Sequence, residues 1–182
     1  KQQPCTIRFV RYTDSEYSEQ EYLHVMDLPD NAAPGTVTWI HLNGIHHSKV
    51  IEEMREKVTF HNLVLEDIVN TGHRPKLDDW DDYLFLIVKS LIYNQQTSLV
   101  MPGHVSIICS ADIVFSFQES GPDLFTSVRE RISTGKGKIR KKKADYLLYA
   151  LIDTIVDGYY SMLEKIGDRI ENLEESILDN NT

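Results

Sequence analysis

The chain has 182 residues, enough for one domain with a real core or for one domain with an extension, and too few for two domains of ordinary size. Its formal net charge of −9 excludes a surface built to neutralise phosphates, so the partners to expect are cations or basic surfaces and not nucleic acid. Only two cysteines, Cys5 and Cys109, are present and they lie far apart, which excludes a disulfide framework and a cysteine metal site and fits a reducing, cytoplasmic setting.

Residues 5–13, CTIRFVRYT, and 21–26, EYLHVM, read as strands on either side of a polar turn around DSEYSEQ. TVTWIHLNG, residues 36–44, is a third strand, stopped by Asn43-Gly44. HSKVIEEMREKV (47–58) places Val50, Ile51, Met54 and Val58 at helical spacing behind a capping Ser48, and HNLVLEDIV (61–69) is a shorter helix that Asn62 can cap. After Thr71-Gly72 and Pro75, YLFLIVKSLIY (83–93) is a strand whose nearly unbroken apolar run implies burial on both faces. HVSIICS (104–110) and DIVFSFQE (112–119) form a hairpin through Ser110-Ala111. GPDLFTSVRERIS (121–133) is helical with Pro122 and Asp123 in its first turn, and GKGKIRKKK (135–143) is a basic, glycine-punctuated connection.

Residues 144–180 run without proline and predict one helix about 55 Å long at roughly 1.5 Å per residue, longer than a compact domain of this size. Leu148, Ile152, Ile155, Tyr159, Met162, Ile166, Ile170, Leu173 and Ile177 form a coiled-coil-like seam along it, so the helix must lean on something outside its own domain. A second stripe is acidic: Asp153, Asp157, Glu164, Asp168, Glu171 and Glu175. The outer part of this stripe reads as a solvated face, whereas Asp153 sits among apolar neighbours in ALIDTIVD and needs a partner or a cation. The element order predicts an α/β fold, with helices around a sheet and a long C-terminal helix. The chain begins without Met and ends inside the helical pattern, and it contains no run near the roughly 20 apolar residues that cross a bilayer, so a soluble piece of something longer is expected.

Catalytic motifs are missing. There is no G-x-S-x-G, no phosphate loop and no H-E-x-x-H among the seven histidines, and the chain does not read as an enzyme. DDWDDYLFLIVK fails as a calcium loop, because its sixth residue is Tyr83 and its twelfth is Lys89. The adjacent acids Glu66 and Asp67 are better candidates. Neighbours on a helix point about 100° apart, so the two do not chelate one ion together, and an ion on either takes its other ligands from elsewhere or from another subunit. Magnesium suits that arrangement, since it keeps several waters and takes one or two carboxylates. Pairing with Arg74 or Lys76, or capping of the next turn, is the structural alternative. Asp78, Asp79, Asp81 and Asp82 read as solvating the start of a strand, with Trp80 and Tyr83 packing.

FHNLVLEDIVNTGHRPKLDDWDDYLFLIVKSL resembles the signature region of the CorA family of magnesium transporters, where a histidine, an L-E-D triplet, an R-P-K turn and an acidic-aromatic lead into a strand follow in this order. TWIHLNGIHHSKVIEEM before it, and GHVSIICSADIVFSFQES, RERISTGKGKIRKKKADYLLYALIDTIVDGYY and LEKIGDRIENLEESIL after it, continue the resemblance over about residues 36 to 178. The resemblance implies a mixed β-sheet between helical layers (an α-β-α sandwich), residues 1–143, followed from 144–182 by the start of the long helix leading to a stalk, with both membrane helices and the Gly-Met-Asn pore signature absent from this chain. It further implies a homopentamer on the cytoplasmic side of the membrane whose carboxylates bind regulatory magnesium between subunits: Asp67 as the primary ligand, Glu66 and Asp153 at a second site. Five acidic copies around one axis repel one another, and ions at the interfaces would hold the ring closed until magnesium falls. Cobalt is a further ion of such proteins. Two other readings stand beside this one: the cytoplasmic domain of a ZntB-like zinc transporter, and an oligomerisation domain that senses nothing.

Overall fold

In a computed structural model, residues 5–29, 35–45, 48–94, 97 and 99–179 are described. His46 and His47, and the side chain of the expected cap Ser48, lie outside them. Seven strands form one sheet: β1 (Thr6–Tyr12), β2 (Tyr17–Tyr22), β3 (Val37–Asn43), β4 (Lys76–Trp80), β5 (Tyr83–Asn94), β6 (Leu99–Cys109) and β7 (Ile113–Gln118). Their order is β2-β1-β3-β7-β6-β5-β4, with β3 and β7 parallel and every other pair antiparallel, the mixed sheet the sequence predicts.

Period-two alternation sends successive side chains to opposite faces and so builds two cores. Ile7 and Phe9 of β1, Ile40 and Leu42 of β3, and Phe85 and Ile87 of β5 pack under α1 (Ser48–Lys57) and α2 (Asn62–Val69). Val10 and Tyr12, Val37 and Trp39, and Val105 and Ile107 pack under α3 (Thr126–Ser133) and the first half of α4 (Ala144–Asp179). Helices therefore cover both faces, giving an α-β-α sandwich with a long C-terminal helix. No helix among the described residues is long and apolar enough to cross a membrane.

Local expectations fail where polarity misleads. The polar turn is shorter than expected: its second part, 17–20, joins residues 21 and 22 in strand β2, an edge strand whose residues are exposed or half-buried, and the strand expected at 21–26 ends at Tyr22, ahead of a 3-10 turn at Val25–Asp27. An edge strand is held by its backbone ladder with β1 and needs no apolar face of its own. For the same reason Asp78 and Asp79, read as solvating the start of a strand, lie within the opposite edge strand, β4 (Lys76–Trp80). Strand β6 starts at Leu99 rather than His104. The cap of α2 is His61, whose Nδ1 accepts from the Leu63 N–H, and not Asn62. Helix α3 starts at Thr126, because Asp123 turns inward instead of joining a first turn.

Candidate functional site

Helix α2 buries Val64, Leu65 and Ile68 against the sheet, which leaves Glu66 exposed and Asp67 half-buried on its outer arc. The helix ends when the Asn70 N–H donates to the Glu66 carbonyl; a tight turn through His73 and Pro75 then brings the chain back as β4. That reversal sets two nitrogens on the Asp67 carboxylate: His73 Nε2 is 3.0 Å from Oδ1, and Lys76 Nζ donates to Oδ2 at 2.8 Å. The same ammonium donates to Asp78 Oδ2 at 2.6 Å and lies 5.4 Å from the Phe85 ring centre. Hydrogen bonds to Asp67 first, and then to Asp78, raise the lysine's pKa. Asp67 is thus a carboxylate that already attracts cations. The pairing with Lys76 is the one the sequence offered as the structural alternative, while His73 went unrecognised there because only the turn brings it to α2. Arg74 is exposed.

Asp153 lies on α4, where Tyr149 donates its hydroxyl to Oδ1 at 3.4 Å. Helices α2 and α4 cover opposite faces of the sheet, so the fold does not gather Glu66, Asp67 and Asp153 into one pocket. Among the described residues no three His, Cys, Asp or Glu side chains are placed to hold a metal ion. As a donor for a hydrated magnesium ion, which takes only one or two carboxylates, the partly exposed Asp67 still fits.

A second polar cluster is enclosed. Trp39 Nε1 donates to Ser116 Oγ at 2.8 Å, Ser116 Oγ is 2.8 Å from His41 Nδ1, and His41 Nε2 is 3.5 Å from Asp123 Oδ1. Arg129 closes the group, 2.5 Å from Asp123 and 3.6 Å from Glu19, with its guanidinium over the Trp39 ring. Burial pushes His41 down to about 4. The serine-histidine-aspartate line has the composition of a hydrolytic triad, but Ser116 is fully buried and its oxygen is occupied by the indole N–H, so no substrate reaches it. Its work is to bind α3 to the sheet. The basic connection is likewise committed: Arg140 donates to the carbonyls of Ile132 and Ser133, and a cleft of about 300 Å³ sets Arg140 to Lys143 beside Asp14 and Asp112.

The family described as CorA-like Mg2+ transporter protein matches residues 34–182. The chain is 40% identical over 173 residues to the cobalt/magnesium transport protein CorA of Thermotoga maritima, covering 95% of this chain and 49% of the relative, so it spans about half that protein's length. In fold it is similar to the soluble domain of CorA from Methanocaldococcus jannaschii, with a TM-score of 0.72 at 14% identity, covering 93% of this chain and 64% of the other. The cytoplasmic domain of ZntB from Vibrio parahaemolyticus is similar too, with a TM-score of 0.69 at 14% identity over 91% of this chain and 64% of the other.

Proposed function

Since the chain belongs to the family of CorA-like Mg2+ transporter proteins, we propose that it is the cytoplasmic regulatory part of a divalent-cation channel that carries magnesium and cobalt and catalyses no reaction. Residues 1–143 with the packed start of α4 form the sensing body, and the remainder of 144–182 leads toward the stalk. Five copies form the ring. Asp67 is the primary ligand for a regulatory magnesium ion between neighbours; Glu66 of one copy and Asp153 of the next contribute to a second ion. The single observation that carries this reading is the Asp67 carboxylate, partly exposed at the end of α2 and clasped by two nitrogen groups.

The placement of α2 and α4 on opposite faces supports sharing between copies, because ligands that cannot meet within one chain can meet across a boundary. Magnesium bound there offsets the repulsion among subunits that each carry −9. Its loss loosens the ring and opens the pore, by the linkage rule that a ligand shifts an equilibrium only through its differential affinity for the two states. Identity of 40% to the Thermotoga cobalt/magnesium protein favours magnesium and cobalt over zinc as the ions handled, since the likeness to ZntB is one of fold.

Sedimentation velocity of this chain with and without millimolar magnesium, at matched ionic strength, tests the reading. Assembly promoted by magnesium in the wild type and lost in Asp67→Ala supports an intersubunit ligand; equal responses reduce the effect to general screening and sink it.

A further inference from the structure

The following inference rests on the reading of Asp67 as a divalent-cation ligand. Lys76 Nζ is shared between two carboxylates, at 2.8 Å from Asp67 Oδ2 and 2.6 Å from Asp78 Oδ2. Separate parts of the fold hold the three groups. Asp67 is fixed by the last turns of α2, while Lys76 and Asp78 are the first and third residues of β4 and so share one face of that strand. Strand β4 is itself pinned from Lys76 opposite Ile87 to Trp80 opposite Tyr83. The lysine stem cannot wander far: its ammonium also lies over the Phe85 ring, and its side chain is 29% exposed. A cation tethered this way competes at an effective concentration that free monovalent ions do not reach.

We propose that Lys76 is a built-in competitor for the divalent ion at Asp67, and that Asp78 is the carboxylate to which its ammonium withdraws when the ion binds. A divalent ion taking Oδ2 while the ammonium stayed on that oxygen would set a double and a single positive charge about 4 Å apart, a penalty of roughly tenfold or more in affinity even with water-like screening. Withdrawal to Asp78 relieves that repulsion and leaves neither charge unpaired. The cost of the exchange keeps the site weak, so that it responds to a plentiful ion over a high concentration range and stays empty of divalent ions when they are scarce. Asp78 is a positioning residue here, acting only through the lysine.

The experiment uses the full-length assembled protein in detergent, with Mn2+ as a probe whose free fraction is read by electron paramagnetic resonance and which Mg2+ then displaces. The quantity followed is the part of the binding that Asp67→Asn removes. Lys76→Gln is expected to lower the half-saturating Mn2+ and Mg2+ concentrations roughly tenfold, and Asp78→Asn, which leaves the ammonium to Asp67 alone, to raise them severalfold. The double variant should bind like Lys76→Gln, since Asp78 has nothing left to act through. Arg74→Gln removes an equal charge from the same turn at an exposed position and should change little. Lys76→Met, which keeps the stem over Phe85, repeats the measurement if the glutamine variant assembles poorly. Unchanged half-saturation in both Lys76 variants, with Asp67→Asn weakened, overturns the competitor and leaves Asp67 a ligand. An equal gain in Arg74→Gln overturns it in favour of overall charge. Binding that Asp67→Asn does not alter removes the ligand reading itself, and the competitor falls with it.

Discussion

Arg129 Nη2 lies 2.5 Å from Asp123 Oδ2, and 5% and 18% of the two side chains are exposed. This ion pair, set under α3 and continued by His41, Glu19 and the Trp39 ring, ties β2, β3 and the helix to one another across the sheet. Removing one member of such a buried pair strands the other, so Arg129→Met should destabilise the chain by about 3 to 5 kcal/mol. Urea unfolding should also give less than the summed losses for Arg129→Met combined with Asp123→Asn, because the double variant leaves no uncompensated charge. Additive losses would mean that the two side chains do not act as a pair.

Acid should unfold the protein through its buried histidines. Burial first, and the neighbouring Lys89 next, push His104 down to about 4, as burial does for His41, against the ordinary value of 6.5. Both folded values lie below the unfolded one, so the unfolded chain binds more protons between about pH 6.5 and 4 and stability falls as pH drops through that window. Burial alone would raise the Asp123 carboxyl, but His41 and Arg129 hold it below its usual value, which adds a loss of the same sign at the acid end. Thermal unfolding from pH 7 to 4 should show a shallower decline in His104→Gln than in the wild type. Parallel curves would refute the assignment.

Substitution at Asp67 should separate binding from stability. Its pairs with Lys76 and His73 are partly exposed, and such pairs contribute about 0 to 1 kcal/mol each. Asp67→Asn should therefore unfold within about 2 kcal/mol of the wild type while losing the magnesium-dependent assembly proposed above. A large fall in urea midpoint would make Asp67 a structural residue first.

The two halves of α4 should respond oppositely to substitution. Ile155 is 5% exposed against the sheet, and truncation to alanine should cost about 2 to 4 kcal/mol through the lost contacts and the cavity left behind. Ile170 is 51% exposed, and Ile170→Lys should alter the stability of this chain by no more than about 0.5 kcal/mol. Equal losses at both positions, read by thermal unfolding, would show that the outer half is packed in solution.

The expected long helix with an apolar seam is present as α4, where Met162 is buried and Ile166, Ile170, Leu173 and Ile177 are exposed. It was legible because nine apolar residues at three- and four-residue spacing without proline admit few other structures. The cluster of buried His41, Ser116 and Arg129 with half-buried Asp123 is not legible, for its members are separated by as many as 88 positions in sequence and no local pattern pairs them. Asp123 in particular reads in sequence as an ordinary first-turn acid, the role its neighbours Gly121 and Pro122 suggest.

By itself the sequence determined the family, the mixed α/β class, the acid pair at the end of a short helix, and the long terminal helix, since each is written in local periodicity or in an ordered run of motifs. Tertiary structure alone decided that the polar stretches 17–22 and 76–80 are edge strands, that Lys76 and His73 occupy the Asp67 carboxylate, and that Asp153 stands across the sheet from it. The reason is physical: periodicity reports which face of an element is buried, whereas backbone ladders and ion pairs depend on which segments the fold brings side by side.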